Sequence, residues 1–139
     1  TCGYADTDTL GGLIKHVDMV LFDIKHMDPE AHHQLTGADN ELVLTNLRMV
    51  ARSGVQVIVR MPIIPGCNDS EDNIRATGDY ISHLGIKKVD IIPYHKLGVA
   101  KYRRLGKEYQ LEHLDTVKPE DVEAVQDILK SYGLEVRQA

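Results

Sequence analysis

An α/β fold, with parallel strands linked by helices, is predicted by three observations in this sequence of 139 residues. Short, β-branched apolar runs alternate with longer stretches of helical period, the pattern of a parallel sheet with crossover helices. Charged residues fall where the apolar runs end, the edge at which such folds keep their chemistry. A complete eightfold barrel takes about 250 residues, about 30 per unit, so this chain holds roughly four units, half of a TIM-type barrel.

The elements follow in order. Residues 6–16 carry Leu10, Leu13, Ile14 and Val17 at helical spacing, with Asp6 or Asp8 as cap. Residues 17–24 begin V-D-M-V-L-F, a dense apolar run that reads as a strand buried on both faces. It ends in Asp23-Ile24-Lys25, and side chains two apart on a strand project to one side, so Asp23 and Lys25 go together. Residues 29–35 form a brief helix stopped by Thr36-Gly37. Residues 40–53 place Leu42, Val43, Leu47, Val50 and Ala51 on one helical face and end at Gly54. A second strand, 55–61, is closed by Arg60 and leaves through a loop of turn residues, 62–70.

Asp69 or Ser70 caps a helix over 71–84 whose buried face carries Ile74, Tyr80, Ile81 and Leu84; Gly85 ends it. Residues 88–93 are a third buried strand. The stretch 94–118, with a string of basic residues and two glycines, is too long for a plain connection and reads as a functional or lid-like loop. Pro119 opens a last helix with Val122, Val125, Ile128 and Leu129, and Gly133 precedes a short strand over 134–137.

Bulk properties narrow the function. A formal net charge of −5 and a pI of about 5.7 argue against a general nucleic-acid surface. No apolar run approaches the roughly 20 residues of a membrane span. Residues 1–10 are polar and lack a basic start, so no secretory signal is expected there and a cytoplasmic setting is. The opening T-C-G-Y-A-D-T-D has no initiator Met, which points either to tag removal or to a missing N-terminal part. Cys2 and Cys67, far apart in sequence, form neither a metal pair nor a disulfide framework.

Asp23 and Lys25 after the first strand, Arg60 on the second and His95 after the third converge if the strands are parallel. Two fixed cations, a carboxylate and an imidazole suit an anionic ligand that also carries an ammonium or a ribose. Each residue alone also has a plain reading. Asp23 and Lys25 form a solvated pair, Arg60 clamps a loop, and His95 is a surface histidine. His26, His32 and His33 match no standard metal-ligand spacing.

Three segments, taken together, carry a resemblance. V-D-M-V-L-F-D-I-K-H-M-D, then V-I-V-R-M-P-I-I-P-G-C-N-D-S-E-D-N-I, then V-D-I-I-P-Y-H-K-L-G-V-A-K-Y-R-R-L-G-K-E-Y resemble the glycyl-radical-enzyme activating enzymes, of the pyruvate formate-lyase activating kind. These are radical S-adenosylmethionine proteins. The resemblance implies an open barrel of six βα units with this chain as its C-terminal part. It implies that Asp23 and Lys25 lie at S-adenosylmethionine, that Arg60 and Pro62 line its pocket, and that His95 contacts it with Ile92 near the adenine. It further implies a monovalent cation near Thr1, Asp23 and the Leu21 carbonyl. Thr1, Gly3 and Tyr4 resemble the family's D-T-x-G-[FY] segment without its Asp.

The family's C-x-x-x-C-x-x-C motif and its Gly-Gly-Glu strand end do not occur here. A [4Fe–4S] cluster is therefore expected in a longer parent and not on this chain, which by itself should be inactive. In the parent, the implied reaction is one-electron cleavage of S-adenosylmethionine, with hydrogen removed from a glycine of a partner such as pyruvate formate-lyase. The electron comes from a donor such as flavodoxin or ferredoxin. No residue of this chain is expected to act as a general base, and 94–118, with Arg103 and Arg104, is expected to contact the partner. Two other readings stand beside this one: an aldolase-like Schiff-base lyase using Lys25, and a non-catalytic interaction domain. An open edge on the first strand would also allow pairing with a second copy.

Overall fold

Four strands pair side by side in chain order, all parallel, as β1 (Met19–Asp23), β2 (Gln56–Ile63), β3 (Lys88–Pro93) and β4 (Glu135–Gln138). This computed structural model describes residues 1–139, with the side chains of all but Leu97. Between the strands run α1 (Thr7–Ile14), α2 (Pro29–Thr36), α3 (Glu41–Arg52), α4 (Glu71–His83), α5 (Leu97–Arg104) and α6 (Pro119–Lys130). The predicted α/β class and its parallel βα units are what the chain adopts, in the manner of part of a TIM-type barrel. Among the described residues no helix is long and apolar enough to cross a membrane.

Local sequence chemistry sets the helix ends. Asp6 accepts the Thr9 N–H at 3.0 Å and Asp28 accepts the Ala31 N–H at 2.8 Å, each satisfying a donor that the helix cannot. The Thr9 N–H, with the Thr9 hydroxyl, holds the Asp6 carboxyl below the usual carboxylate range. After α3 the chain turns at Gly54 with φ +84°, a conformation that costs a residue with a Cβ.

One face of the sheet is covered and the other is not. Val20, Phe22, Val59, Met61, Ile63, Val89 and Ile91 alternate along β1–β3 on the covered face, in one core with Leu47, Val50, Ile74, Ile81, Val125 and Leu129 from the helices. The intervening residues make up the open face. Met19 and Leu21 are exposed there, and Asp23, Arg60, Pro62, Asp90 and Ile92 are half-buried. Ile58, in register between Leu21 and Lys88, is buried on this face. The apolar run over 17–24 predicts a strand buried on both faces; instead β1 alternates, because the helices pack on one side of the sheet only. That alternation is what leaves a face free for a ligand.

Three further expectations are corrected. Arg60 does not close the second strand, since β2 continues to Ile63 against Pro93 and Arg60 lies in mid-strand on the open face. Leu13 and Val17 are exposed although they share helical spacing with Leu10 and Ile14. The short α1 packs chiefly on α3, so only a narrow stripe is covered. The stretch 94–118, expected as a long functional loop, contains the helix α5.

The outer edge of β1 is also partly covered. The Thr1 N–H group donates to Leu21 O at 2.9 Å and the Asp23 N–H donates to Thr1 O at 2.8 Å, the bond pattern of a parallel ladder. Asn46, fully buried on α3, holds this segment by donating to Gly3 O at 2.7 Å and Ala5 O at 2.8 Å. Gly3 lies so close to the Phe22 ring that a Cβ there would sit 2.1 Å from Cζ. Only glycine fits.

Candidate functional site

One row of side chains crosses the open face. Asp23 pairs in register with Arg60, Arg60 with Asp90, and Asp90 with Arg137, giving charges of alternating sign on four adjacent strands. Arg60 Nε donates to Asp23 Oδ1 at 2.7 Å, and its Nη2 lies 2.7 Å from the same oxygen. Lys25 Nζ lies 3.6 Å from Asp23 Oδ2, so one carboxylate organises two cations. At the far end, Arg137 Nη2 is 2.9 Å and Nε 3.1 Å from Asp90 Oδ1. Ion pairs this exposed contribute about 1 kcal/mol or less each. Stability does not explain the row.

Pro62 and Ile92 pair in register one step further toward the strand C-termini, on the same face as Arg60 and Asp90. They make a small apolar shelf beside the charges. Pro62 lacks an N–H, and in β2 that position faces the side where the β1 ladder has already ended at Asp23, so no ladder bond is lost. Parallel strands put His95, two residues past Pro93, at the same C-terminal edge as Lys25, and it is exposed. Thr1, Leu21 and Asp23 are neighbours through backbone bonds, and the Leu21 carbonyl named for a cation accepts the Thr1 N–H.

His32 holds the turn after α2, its Nδ1 lying 2.7 Å from Ala38 O and 3.1 Å from Thr36 Oγ1 in a nearly buried position. His26 Nδ1 accepts the Asp28 N–H at 3.0 Å. Among the described residues no cluster of three or more His, Cys, Asp or Glu side chains is set to hold a metal.

Two cavities meet at Lys25. One, of about 430 Å³, is lined by Cys2, Tyr4, Asp23, Lys25 and Val43. The other, of about 700 Å³, lies between Lys25, Pro62 and Cys67 on one side and Tyr102, Tyr109 and Leu111 on the other. A wider cleft of about 1020 Å³ lies between α1 and α3, away from the row and from every predicted ligand residue. Charge and shape coincide at Lys25, where the volumes suit a nucleoside-sized molecule.

The wall formed by residues 94–118 is held by aromatic contacts. Tyr94 stacks on Tyr109 at 6.5 Å between ring centroids, Tyr102 tilts against Tyr109 at 4.8 Å, and Tyr94 OH donates to Leu111 O at 2.8 Å. Burial, with Tyr94 beside it, pushes the Tyr109 phenol up. Burial first, and Asp69 second, push the Cys67 thiol up. Arg103 pairs with Glu112 within the same segment.

Sequence reasoning missed Asp90, Arg137 and three asparagines, Asn40, Asn68 and Asn73, whose side chains are buried behind the site. Strand register would have revealed the first two, but register is a tertiary fact. The asparagines carried no signal beyond turn preference. A three-thiolate cluster does not fit this chain's own donors, which are the exposed Cys2 and the half-buried Cys67.

A one-sided parallel sheet with a charged row on its open face defines a partial barrel of βα units. The comparisons narrow the class. No family model matches the chain. It is 38% identical over 140 aligned residues, 98% of this chain and 45% of the relative, to the choline trimethylamine-lyase activating enzyme of Oleidesulfovibrio alaskensis. It is 34% identical over 125 residues, 89% of this chain and 51% of the relative, to the pyruvate formate-lyase 1-activating enzyme of Escherichia coli. Among solved structures it resembles a domain of pyruvate-formate lyase-activating enzyme from Bacteroides vulgatus, with a TM-score of 0.82 and 26% identity over 100% of this chain and 78% of that one. The relatives it matches are glycyl-radical-enzyme activating enzymes. The chain spans about half the length of the curated relatives it matches.

Proposed function

We propose that this chain is the C-terminal, S-adenosylmethionine-binding part of an enzyme that activates a glycyl radical enzyme. The observation that carries the reading is Asp23 holding both Arg60 and Lys25 beside the Pro62–Ile92 shelf. A zwitterionic nucleoside needs both halves of that surface. Lys25 and Arg60 offer donors to a carboxylate or ribose, and Asp23 offers an acceptor to an ammonium. Pro62 and Ile92 give a flat base an apolar support, and His95 closes the edge. Thr1, Leu21 and Asp23 would border a monovalent cation. None of these groups is needed as a general base.

When bound in the longer protein, S-adenosylmethionine and a reduced [4Fe–4S] cluster supply one-electron radical chemistry. The cluster's thiolates belong outside this chain, which we expect to be inactive alone. A flavodoxin or ferredoxin would deliver the electron. The segment 94–118 would exclude water over Lys25 and meet the partner enzyme. Arg103 is engaged with Glu112, so Arg104 and Lys101 are the better contacts for it.

An imine-forming lysine requires a desolvated, neutral amine. Lys25 is 35% exposed and faces a carboxylate, which speaks against a Schiff-base lyase. The test uses the full-length enzyme, with its cluster reconstituted without oxygen, and measures S-adenosylmethionine binding. Lys25→Ala and Arg60→Ala should each weaken it about tenfold or more, the loss of a charge-assisted bond. Unchanged affinity in both variants, or borohydride trapping of a carbonyl compound on Lys25, would overturn the reading.

A further inference from the structure

The segment that carries Lys25 is not held by the sheet. The β1–β2 ladder ends at Asp23 opposite Arg60, with one more bond from the Ile24 N–H to Arg60 O. Beyond it the carbonyls of Lys25, His26 and Met27 have no strand to face, yet buried backbone groups need partners. Side-chain amides supply them. Asn68 Nδ2 donates to Lys25 O at 2.9 Å and to Pro62 O at 2.6 Å, while its Oδ1 accepts the Ile64 N–H at 2.8 Å. Asn73 Nδ2 donates to Asn68 O at 2.8 Å, and Asn73 Oδ1 accepts the Met27 N–H at 2.9 Å. Asn40 Nδ2 reaches His26 O at 3.1 Å and Met27 O at 2.7 Å. All three asparagines are nearly fully buried.

We propose that Asn68 is a positioning residue that sets Lys25 against Pro62 across the ligand pocket, through its two donated bonds to their carbonyls. It rests on the reading of Lys25 and Pro62 as S-adenosylmethionine contacts. The chemistry requires an amide. Two carbonyls must be bridged and one N–H accepted, which needs two donors and an acceptor on one short side chain. A carboxylate of the same shape would turn an oxygen toward both carbonyls and repel them. With the bridge gone, the segment 25–27 loses its tie to β2, and its remaining bonds to Asn40 and Asn73 loosen as it shifts. Lys25 then leaves the height at which Asp23 meets it.

The test is a double-mutant cycle in the full-length, cluster-loaded enzyme, read by S-adenosylmethionine affinity. Asn68→Ala and Asn68→Asp should each weaken binding about tenfold. Added to Lys25→Ala, Asn68→Ala should weaken it no further. A purely structural asparagine would instead give multiplying losses, and that result would overturn the proposal. Hydrogen exchange supplies the readout independent of ligand. In Asn68→Ala the amides of Met27 and Ile64 should exchange faster while those of Phe22, Val59 and Val89 stay protected. Unchanged protection at Ile64 and Met27 would sink the bridge even if the enzyme bound no S-adenosylmethionine, a failure that would count against the proposed function instead.

Discussion

The two faces of this sheet do different work with the same strands. Phe22, Val59 and Val89 are fully buried under the helices, and the next residue along each strand is Asp23, Arg60 and Asp90, turned to the open face. A step of one residue thus passes from packing to electrostatics. The covered face can be dense and inert because the open face is left to hold charge. Charged groups there keep contact with water, yet are close enough to pair with one another.

Substitutions on either face can break that contrast. The largest effect is expected at Phe22→Ala, which should lower stability by about 3–5 kcal/mol in urea denaturation, as for other buried aromatic residues. Leu21→Ala, one position away and 39% exposed, should cost under about 1 kcal/mol. Similar losses at both would mean that the second face is packed as well. Next comes Asp23→Asn. It should cost about 1 kcal/mol or less in stability, as expected for exposed pairs, while weakening S-adenosylmethionine binding in the full-length enzyme about tenfold. A loss comparable to that at Phe22 would make the charged row structural.

The smallest effect belongs to the helix layer. The Asp6 carboxyl is lowered in the folded chain by the Thr9 N–H, so its contribution is present above the ordinary value of about 3.9 and fades as pH falls through the lower folded value. Stability measured against pH should show this slope below about pH 4, and Asp6→Asn should remove that component. An unchanged slope would show that the cap is not coupled to folding.

Much of this was legible in the residues. The strands announce themselves by β-branched runs, the helix stops by Gly54 and Gly85, and the cap by Asp6. The resemblance picked out Asp23, Lys25, Arg60, Pro62, Ile92 and His95, and the structure brings the first five to one face and edge of the sheet with His95 at the same end. Burial was harder to read. Val17 through Phe22 is as apolar as a strand covered on both sides, and nothing in its composition says that one side is bare. The helix over Leu97–Arg104 was hidden because it packs through Tyr102 on Tyr109, which lies outside the helix and stacks in turn on Tyr94.

By itself the order of residues determined the element types, the parallel class and the charged side chains that fall toward the strand ends. Those follow from local period and local chemistry, which act over a few positions. Tertiary structure alone decided which face stays open, that Asp90 and Arg137 extend the row, and that Asn68 ties Lys25 to Pro62. Register and side-chain bridging join residues 37 to 47 positions apart. Only the folded sheet brings such partners within reach of a hydrogen bond.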